Sequence, residues 1–264
     1  MAHIVAVGSG KGGVGKSTVA VNLAVALAQA GARVGLLDAD IYGPSAPIML
    51  GLKGVRPQAL DEKTMLPPQA HGVRVNSLGL LIPEGQAAIW RGPMASGALM
   101  QLLMQTAWGE LDYLIVDLPP GTGDIHLTLV QQVPISAAVI VTTPQDAAVA
   151  DAERAASMFA RVRVPILGFV ENMAAFVCPH CGKSTPIFGE GGVDRLAERF
   201  RAKVLARIPL DPAVRERSDE GAPVVVSHPE SQPSQAFAEL AGAVAQGLSV
   251  LARRKVDVPI IDAR

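Results

Sequence analysis

A glycine-rich stretch near the start of the chain carries two lysines and two hydroxyl residues at the spacing of a phosphate-binding loop. Residues 10–18 match the pattern G-x-x-x-x-G-K-[ST]. Backbone amides of such a loop converge on phosphate oxygens, and the following helix N-terminus adds partial positive charge. We expect Lys16 to bind the β- and γ-phosphates, Ser17 to ligate Mg²⁺ and Thr18 to contact the α-phosphate. The candidate nucleotide-binding residues here are Gly10, Lys11, Gly12, Gly13, Val14, Gly15, Lys16, Ser17 and Thr18.

Three aspartates follow apolar segments of strand length. Asp38 and Asp40 end the second such segment, and Asp117 follows a later one. In open α/β sheets the ligand site lies at the carboxyl ends of the strands, so these acids are expected to face the bound phosphates. Asp117 is the candidate Walker B carboxylate, which would hold Mg²⁺ together with Ser17. A free carboxylate such as Asp40 can polarise an attacking water, although the same residue also suits a helix N-cap.

A second group of reactive side chains is the pair Cys178 and Cys181, the only two cysteines of the chain. Two thiolates separated by two residues can bind one metal, but zinc and iron–sulfur clusters usually take four ligands. A symmetric dimer doubles every residue around its axis and would supply four cysteines. Local sequence leaves three interpretations open: a cluster bridging two subunits, a half zinc site completed by a partner, and a dithiol redox pair.

These residues fall between segments that alternate between strand-like and helix-like patterns. The alternation predicts a single α/β domain over residues 1–264, doubly wound around a mostly parallel sheet in three α/β/α layers. Residues 51–72 are expected to form an irregular surface excursion, and residues 173–186 a metal-binding loop. The predicted strands are 4–7, 33–38, 73–78, 111–117, 137–142, 166–170 and 204–208, and the predicted helices are 19–30, 95–108, 147–162, 191–200 and 235–254.

Composition limits the classes of partner. The 264 residues are 49% hydrophobic and only 4% aromatic, which favours an aliphatic core covered on both faces of a parallel sheet. The formal charge is −1 and no long basic run occurs, so neither nucleic acid nor an acidic membrane is an expected partner. The N-terminus lacks a signal-peptide pattern, which predicts a cytoplasmic protein. Proline and acids interrupt residues 256–264, so no terminal membrane-binding helix is expected there.

The extra lysine of the loop, Lys11, is the first of several features that point to a known family. The run Gly-Lys-Gly-Gly-Val-Gly-Lys-Ser-Thr resembles the deviant phosphate loop of the MinD, ParA, ArsA and nitrogenase-iron-protein ATPases. Together with the segments Asp38–Asp40, Trp90–Met94, Glu171–Met173 and the cysteine pair, it resembles the Mrp/ApbC iron–sulfur cluster carrier ATPases along nearly the whole chain. From sequence alone, Trp90 suits a packing role and Arg91 a surface charge.

The resemblance implies an activity and a cargo. It implies a homodimer that hydrolyses ATP slowly, as a switch, and passes a [4Fe–4S] cluster to recipient apoproteins. The cluster would bridge the two subunits through Cys178 and Cys181. A partitioning or positioning ATPase that binds DNA or membrane, and a zinc-bridged nucleotide-binding scaffold, are the alternatives.

The resemblance also implies roles for individual residues. Lys11 would reach the phosphates of the opposite subunit, and with Lys16 and Asp40 it would form the catalytic set. Asp40 would position the attacking water, and Asp38 would support the magnesium site. In addition, glycine amides in residues 119–124 would sense the γ-phosphate, and the adenine ring would contact Asn172, Pro209 and Asp211.

Overall fold

A computed structural model describes residues 1–82, 92–123, 126, 129–130, 132–178 and 180–256, with the backbone alone at 92–93 and 254–256. Some residues of the sequence motifs lie outside this part of the chain. They are Trp90, Arg91, Asp124, Pro179 and the tail 257–264.

Short strands alternate with helices along the described chain. The strands are β1 (His3–Ser9), β2 (Val34–Asp38), β3 (Gln58–Ala59), β4 (Met65–Leu66), β5 (Gln69–Ala70), β6 (Val73–Ser77), β7 (Tyr113–Asp117), β8 (Ala137–Thr142), β9 (Ile166–Val177), β10 (Ser184–Thr185) and β11 (Lys203–Leu210). Among the helices are α1 (Lys16–Gln29), α2 (Ala46–Met49), α3 (Gly92–Met104), α4 (Asp146–Arg161), α5 (Gly192–Arg199), α6 (Pro212–Asp219), α7 (Val224–Ser227) and α8 (Gln232–Val256).

The central sheet is mostly parallel. Its strand order is β10-β9-β8-β1-β7-β2-β6-β5, and β11 also pairs with β9. The pairs from β6 through β2, β7, β1, β8 and β9 to β11 are all parallel, whereas β5 and β10 are antiparallel additions at the margins. The chain winds outward from β1 in both directions, which confirms the predicted doubly wound fold.

Alternate residues of the buried strands enter two separate cores. On β1, Val5 and Val7 pack in a core with α1 and α8, while Ile4 and Ala6 belong to a core with α3, α4 and α5. Because successive side chains of a strand point to opposite faces, an apolar run such as β1 requires helices on both sides. The three-layer α/β/α prediction is confirmed. No helix within the described residues is long and apolar enough to cross a membrane.

Two predicted segments between β2 and β7 differ from the structure. Residues 51–72 contain a small hairpin of β3 and β4 as well as β5, not only irregular chain. The helix expected to reach Trp108 ends at Met104, because the chain beyond it pairs with the hairpin. The Met65 amide donates to the Gln105 carbonyl at 2.8 Å, and the Ala107 amide donates to the Met65 carbonyl at 2.8 Å.

The expected metal loop at residues 173–186 is mainly a hairpin. Strand β9, predicted to end at Val170, continues to Val177, and β10 pairs antiparallel with its last residues, Val177 with Ser184 and Phe176 with Thr185. Only residues 178–183 connect the two strands. The return strand pairs with the end of an extension that runs past Glu171, where the pairing of β9 with β8 ends.

Candidate functional site

The phosphate-binding loop connects β1 to α1 and lies against two other elements. A β-carbon on Gly10 would lie 2.0 Å from the backbone carbonyl carbon of Asp151 on α4. Gly15 has a left-handed φ of 80°, and a β-carbon there would lie 2.2 Å from the side-chain nitrogen Nδ2 of Asn172. Both positions therefore require glycine, for lack of space at Gly10 and for space and conformation at Gly15.

Lys16 and Asp117 meet directly beneath this loop. The Lys16 Nζ lies 2.6 Å from Asp117 Oδ1, and the two side chains are 6% and 0% exposed. The same ammonium donates to Ser17 Oγ at 3.1 Å. The second carboxylate oxygen of Asp117, Oδ2, is buried and has no hydrogen-bond partner among the described residues. The structure thus brings together three predicted site residues and leaves one acidic oxygen free to accept a ligand.

The two strand-terminal aspartates, Asp38 and Asp117, are neighbours across β2 and β7, where they are paired in register. Burial raises the pKa of Asp117, and the nearby Lys16 ammonium opposes that rise. Burial and the charge of Asp117 raise the pKa of Asp38 to about 7. Two buried carboxylates share one lysine, so an additional cation at this point would relieve their repulsion.

Asp38 has a structural role that sequence reasoning missed. Its Oδ1 accepts from the Asp40 amide at 3.1 Å, and its Oδ2 accepts from the Ala46 amide at 3.1 Å and the Ser77 hydroxyl at 3.2 Å. Both oxygens therefore hold the loop that leads from β2 to α2. The helix-capping contact considered for Asp40 is made by Asp38, since α2 begins at Ala46. Asp40 itself is half-buried, and its charge acts on Asp117.

Lys11 lies on the partly exposed side of the phosphate-binding loop. Its carbonyl accepts a hydrogen bond from the Ser9 hydroxyl at 3.0 Å, which holds the backbone. Within the described residues its ammonium forms no ion pair, in contrast to the buried Lys16. The two lysines of the motif therefore lie in different environments, Lys11 partly exposed and Lys16 buried.

The expected adenine contacts divide into two groups. Asn172 is buried on β9 and donates from Nδ2 to the Val14 carbonyl at 2.9 Å, so its amide touches the phosphate-binding loop. Pro209 and Asp211 line a cavity of about 410 Å³. The other lining residues are Phe176, Val177, Leu210, Pro212 and Gln232.

Asp211 and Phe176 each add something to this cavity that the sequence did not indicate. Asp211 caps α6, accepting from the Ala213 amide at 2.8 Å. Phe176 was not singled out, because its segment was expected to be a loop. The bend that brings it here has a visible cause: Met173 adopts a left-handed φ of 55°, and the pairing of β9 with β11 shifts register between Asn172 and Phe176.

The cysteine pair lies in the turn of the β9–β10 hairpin. The Cys178 amide donates to the Lys183 carbonyl at 3.0 Å, and the Gly182 amide donates to the Cys178 carbonyl at 2.8 Å. Hydrogen bonds from the backbone amides of Cys181 and His180 lower the pKa of the Cys178 thiol. These amides favour a thiolate, the form that binds metals.

This turn supplies an incomplete ligand set. Both thiols are free, Cys178 half-buried and Cys181 exposed. Among the described residues, no three His, Cys, Asp or Glu side chains are grouped so that they could hold a metal. A four-ligand metal or cluster here would need groups from outside this hairpin.

One further residue near Lys16 was not indicated by the sequence motifs. His126 is buried, and its ring nitrogen Nε2 lies 2.6 Å from the Pro119 carbonyl. The available signal was a histidine shortly after the glycine-rich segment that follows Asp117.

Comparison with known proteins gives a consistent result. A family model described as "ParA: NUBPL iron-transfer P-loop NTPase" matches residues 1–245. An iron-sulfur cluster carrier protein of Haemophilus influenzae is 57% identical over 93% of this chain and 66% of its own length. The Escherichia coli K12 protein of the same name is 54% identical over 93% of this chain and 67% of its own. The chain therefore spans about two thirds of the length of these relatives.

Two solved structures support the fold assignment. A nucleotide-binding protein in complex with ADP from Archaeoglobus fulgidus has a TM-score of 0.76 and 40% identity, covering 89% of this chain and 91% of that one. The cell division ATPase MinD of Pyrococcus furiosus has a TM-score of 0.69 and 26% identity, covering 93% and 99%.

Proposed function

The chain belongs to the NUBPL family of iron-transfer P-loop NTPases, and we propose that it hydrolyses ATP as a switch while carrying [4Fe–4S] clusters to recipient apoproteins. The observation that carries this proposal is the course of β9. This strand holds Asn172 against the phosphate-binding loop and ends at Val177, one residue before Cys178. We further propose that the nucleotide site and the hairpin work within one domain, because this strand belongs to the central sheet.

The proposed nucleotide site uses charges that already face one another. Lys16 is paired with Asp117, and a bound triphosphate would offer its ammonium a second anionic partner. Mg²⁺ would fit beside Ser17, because Asp117 Oδ2 is buried and has no hydrogen-bond partner in the part of the chain that the structure describes. Bound there, Mg²⁺ would neutralise charge on the β- and γ-phosphates. Asp38 would support this cation through its charge while its hydrogen bonds hold the following loop.

Catalysis is assigned to two further side chains. Asp40 is half-buried at the start of the loop that Asp38 holds, and we assign it the positioning of the attacking water. Lys11, which has no ion-pair partner within the described residues, is assigned to the phosphates of the opposite subunit. This arrangement makes hydrolysis depend on dimer formation.

We assign the adenine ring to the cavity that is lined by Pro209, Asp211 and Phe176. Asn172 lies on the same strand as Phe176 and would contact both the loop and the base. Phe176 is two residues from Cys178, so adenine bound in this cavity would act on the end of β9 that leads into the cysteine hairpin. That connection is the proposed route between nucleotide state and cluster binding.

In this proposal the cluster is the cargo that the protein carries. Each chain supplies Cys178 and Cys181, and a second copy would complete four thiolates around a two-fold axis. The partly exposed position of both residues leaves them accessible to a second subunit and to a recipient protein. A half zinc site shared by two chains would use the same residues without iron.

The test is anaerobic reconstitution with iron and sulfide, followed by metal analysis and mass measurement under native conditions. One four-iron cluster per dimer, with transfer restoring the activity of an apo [4Fe–4S] enzyme, is the expected result. A full cluster on a monomer, or tightly held zinc with no iron uptake, would reject the bridging-cluster proposal. Hydrolysis of ATP by the same samples is scored separately, so the two parts of the proposal stand or fall independently.

A further inference from the structure

The contact between His126 and Pro119 lies at the edge of the nucleotide site. His126 is 2% exposed, and its Nε2 is 2.6 Å from the Pro119 carbonyl oxygen. A carbonyl oxygen can only accept a hydrogen bond, so Nε2 must carry the proton in this contact. The ring is thus held in one tautomer as the donor to Pro119.

Pro119 begins a segment that is poor in hydrogen-bond donors. Neither Pro119 nor Pro120 has a backbone N–H, so this segment cannot be held by its own amides at those positions. The amides on either side are used, since Leu118 donates to the Val7 carbonyl at 3.0 Å and Gly121 donates to the Ser9 carbonyl at 3.1 Å. His126 supplies a donor from outside the segment between those two points.

The same segment lies beside the phosphate-binding loop. A β-carbon on Gly12 would lie 3.9 Å from the Pro120 Cβ. Gly121, which follows, has a left-handed φ of 92° and connects to the end of β1 through Ser9. A shift of Pro119–Gly121 would therefore change the position of the loop that contains Lys16.

The charges of Lys16 and Asp40, two residues of the proposed site, both act on His126. Burial lowers the pKa of His126, and the Lys16 charge lowers it further. The hydrogen bond to Pro119 and the charge of Asp40 act in the opposite direction. A neutral ring that donates through Nε2 satisfies the Pro119 carbonyl without adding a second buried cation beside Lys16.

We propose that His126 is a positioning residue for nucleotide hydrolysis, which holds Pro119–Gly121 against the phosphate-binding loop through its neutral Nε2–H. This inference rests on the proposed ATP hydrolysis. His126 acts through the backbone of this segment and does not itself contact the phosphates. Its effect is on the geometry available at the transition state and falls mainly on kcat.

The test uses a matched pair of variants in the full chain. His126→Leu introduces an apolar side chain of comparable size and removes the donor, whereas His126→Gln offers an amide N–H in its place. We expect His126→Leu to lower kcat for ATP about tenfold, as for the loss of one hydrogen bond to a buried carbonyl, with KM changed less than about threefold. His126→Gln should recover most of this loss.

Two controls separate this inference from the function on which it rests. Lys16→Ala should abolish hydrolysis; if wild-type chain shows no hydrolysis that depends on Lys16, the proposed function fails. If hydrolysis depends on Lys16 but His126→Leu has wild-type kcat, or His126→Gln is no better than His126→Leu at equal thermal stability, the positioning role is overturned.

A spectroscopic measurement serves if His126→Leu does not fold. Long-range ¹H–¹⁵N correlation spectra of the wild-type protein, with the His126 signals assigned by their absence in His126→Gln, report the tautomer directly. A neutral ring protonated at Nε2 is expected. A ring protonated only at Nδ1 would overturn the proposal, because such a ring cannot donate to Pro119.

Discussion

Lys16 and Asp117 are buried and paired with each other, whereas His180 and Cys181 are exposed in the turn of the cysteine hairpin. Both regions are reached by the same strand, β9. A buried charge has to be compensated within the chain, so the nucleotide site has most of its partners already in place. An exposed thiol carries no such requirement.

This difference suggests where each site is completed. In the proposed function, the nucleotide site would be completed by the nucleotide, Mg²⁺ and one lysine from a second subunit, while the cysteine site would take half of its ligands from that subunit. Changes at the first site should act on ATP binding and hydrolysis, and changes at the second should act on whether the cargo binds at all. The predictions below separate these two behaviours.

Replacing either cysteine should have the largest effect. Cys178→Ala or Cys181→Ala would leave two thiolates per dimer, so stable cluster binding and transfer to an apoprotein should be lost, with ATP hydrolysis changed less than about twofold. Iron and sulfide analysis after reconstitution measures this. The matched control in the same turn is His180→Ala, which should keep the cluster; loss of the cluster in that variant would contradict a ligand set of four cysteines.

Lys16→Ala should remove hydrolysis without removing the cargo. The variant loses the charge that faces the β- and γ-phosphates and leaves buried Asp117 unpaired, so kcat should fall at least about a hundredfold. Cluster loading in the absence of nucleotide should persist. Lys63→Ala, which removes an exposed lysine elsewhere, is the control. Wild-type turnover by Lys16→Ala would contradict the site assignment.

Asp40→Ala should slow hydrolysis by roughly ten- to a hundredfold while ATP affinity stays largely intact, since a water-positioning group acts on the transition state. Asp117→Ala should instead weaken Mg²⁺-dependent ATP binding. Equilibrium binding and turnover at saturating ATP, measured on both variants, distinguish the two roles. Equal losses of affinity with unchanged turnover at saturation would show that the division of roles is wrong.

Mixing Lys11→Ala with Asp40→Ala subunits tests whether Lys11 acts across the dimer. Each variant alone should hydrolyse ATP at no more than about a tenth of the wild-type rate. An equimolar mixture would contain half mixed dimers with one intact site in two, so about one quarter of wild-type activity should return if Lys11 serves the opposite site. Native mass measurement confirms that mixed dimers have formed. Mixed dimers that recover no activity would argue against action in trans.

The smallest effect concerns the pH dependence of stability. Burial raises the pKa of Asp38 from 3.8 to about 7, so in that window the native chain holds a proton that the unfolded chain has lost. Stability due to this group therefore falls as pH rises from about 4 to about 7. Without Mg²⁺ and nucleotide, the melting temperature of wild type relative to Asp38→Asn should fall by a few degrees between pH 5 and pH 8. An identical pH dependence of the two proteins would contradict the raised pKa.

Much of the nucleotide site was accessible from sequence because its signal is local. Glycines, lysines and hydroxyl residues at fixed spacing between a strand and a helix indicate the loop, and an acid after an apolar run indicates Asp117. Parallel pairing then brings Asp38 and Asp117 into register at one edge. The roles of Lys11, Asp40, Asn172 and the cysteines in catalysis and cargo binding remain proposals.

The parts that sequence did not predict depend on contacts between distant segments. The length of β9 follows from the return strand β10, and the end of α3 follows from pairing with Met65, which is far away in the chain. The cavity beside Phe176 lies where the pairing of β9 with β11 shifts register, next to the left-handed Met173. None of these features is indicated in the sequence by a hydrophobic periodicity or by a motif.

The sequence by itself determined the fold class, the position of the phosphate-binding loop and the separation of that loop from the cysteine pair, because each rests on residue types at short spacing. Only the tertiary structure decided that Lys16 pairs with Asp117, that Asp38 holds the Asp40 loop, and that Asn172 lies on the strand that ends one residue before Cys178. Burial and hydrogen bonding across the sheet set these relations, and such contacts leave no local pattern in the chain.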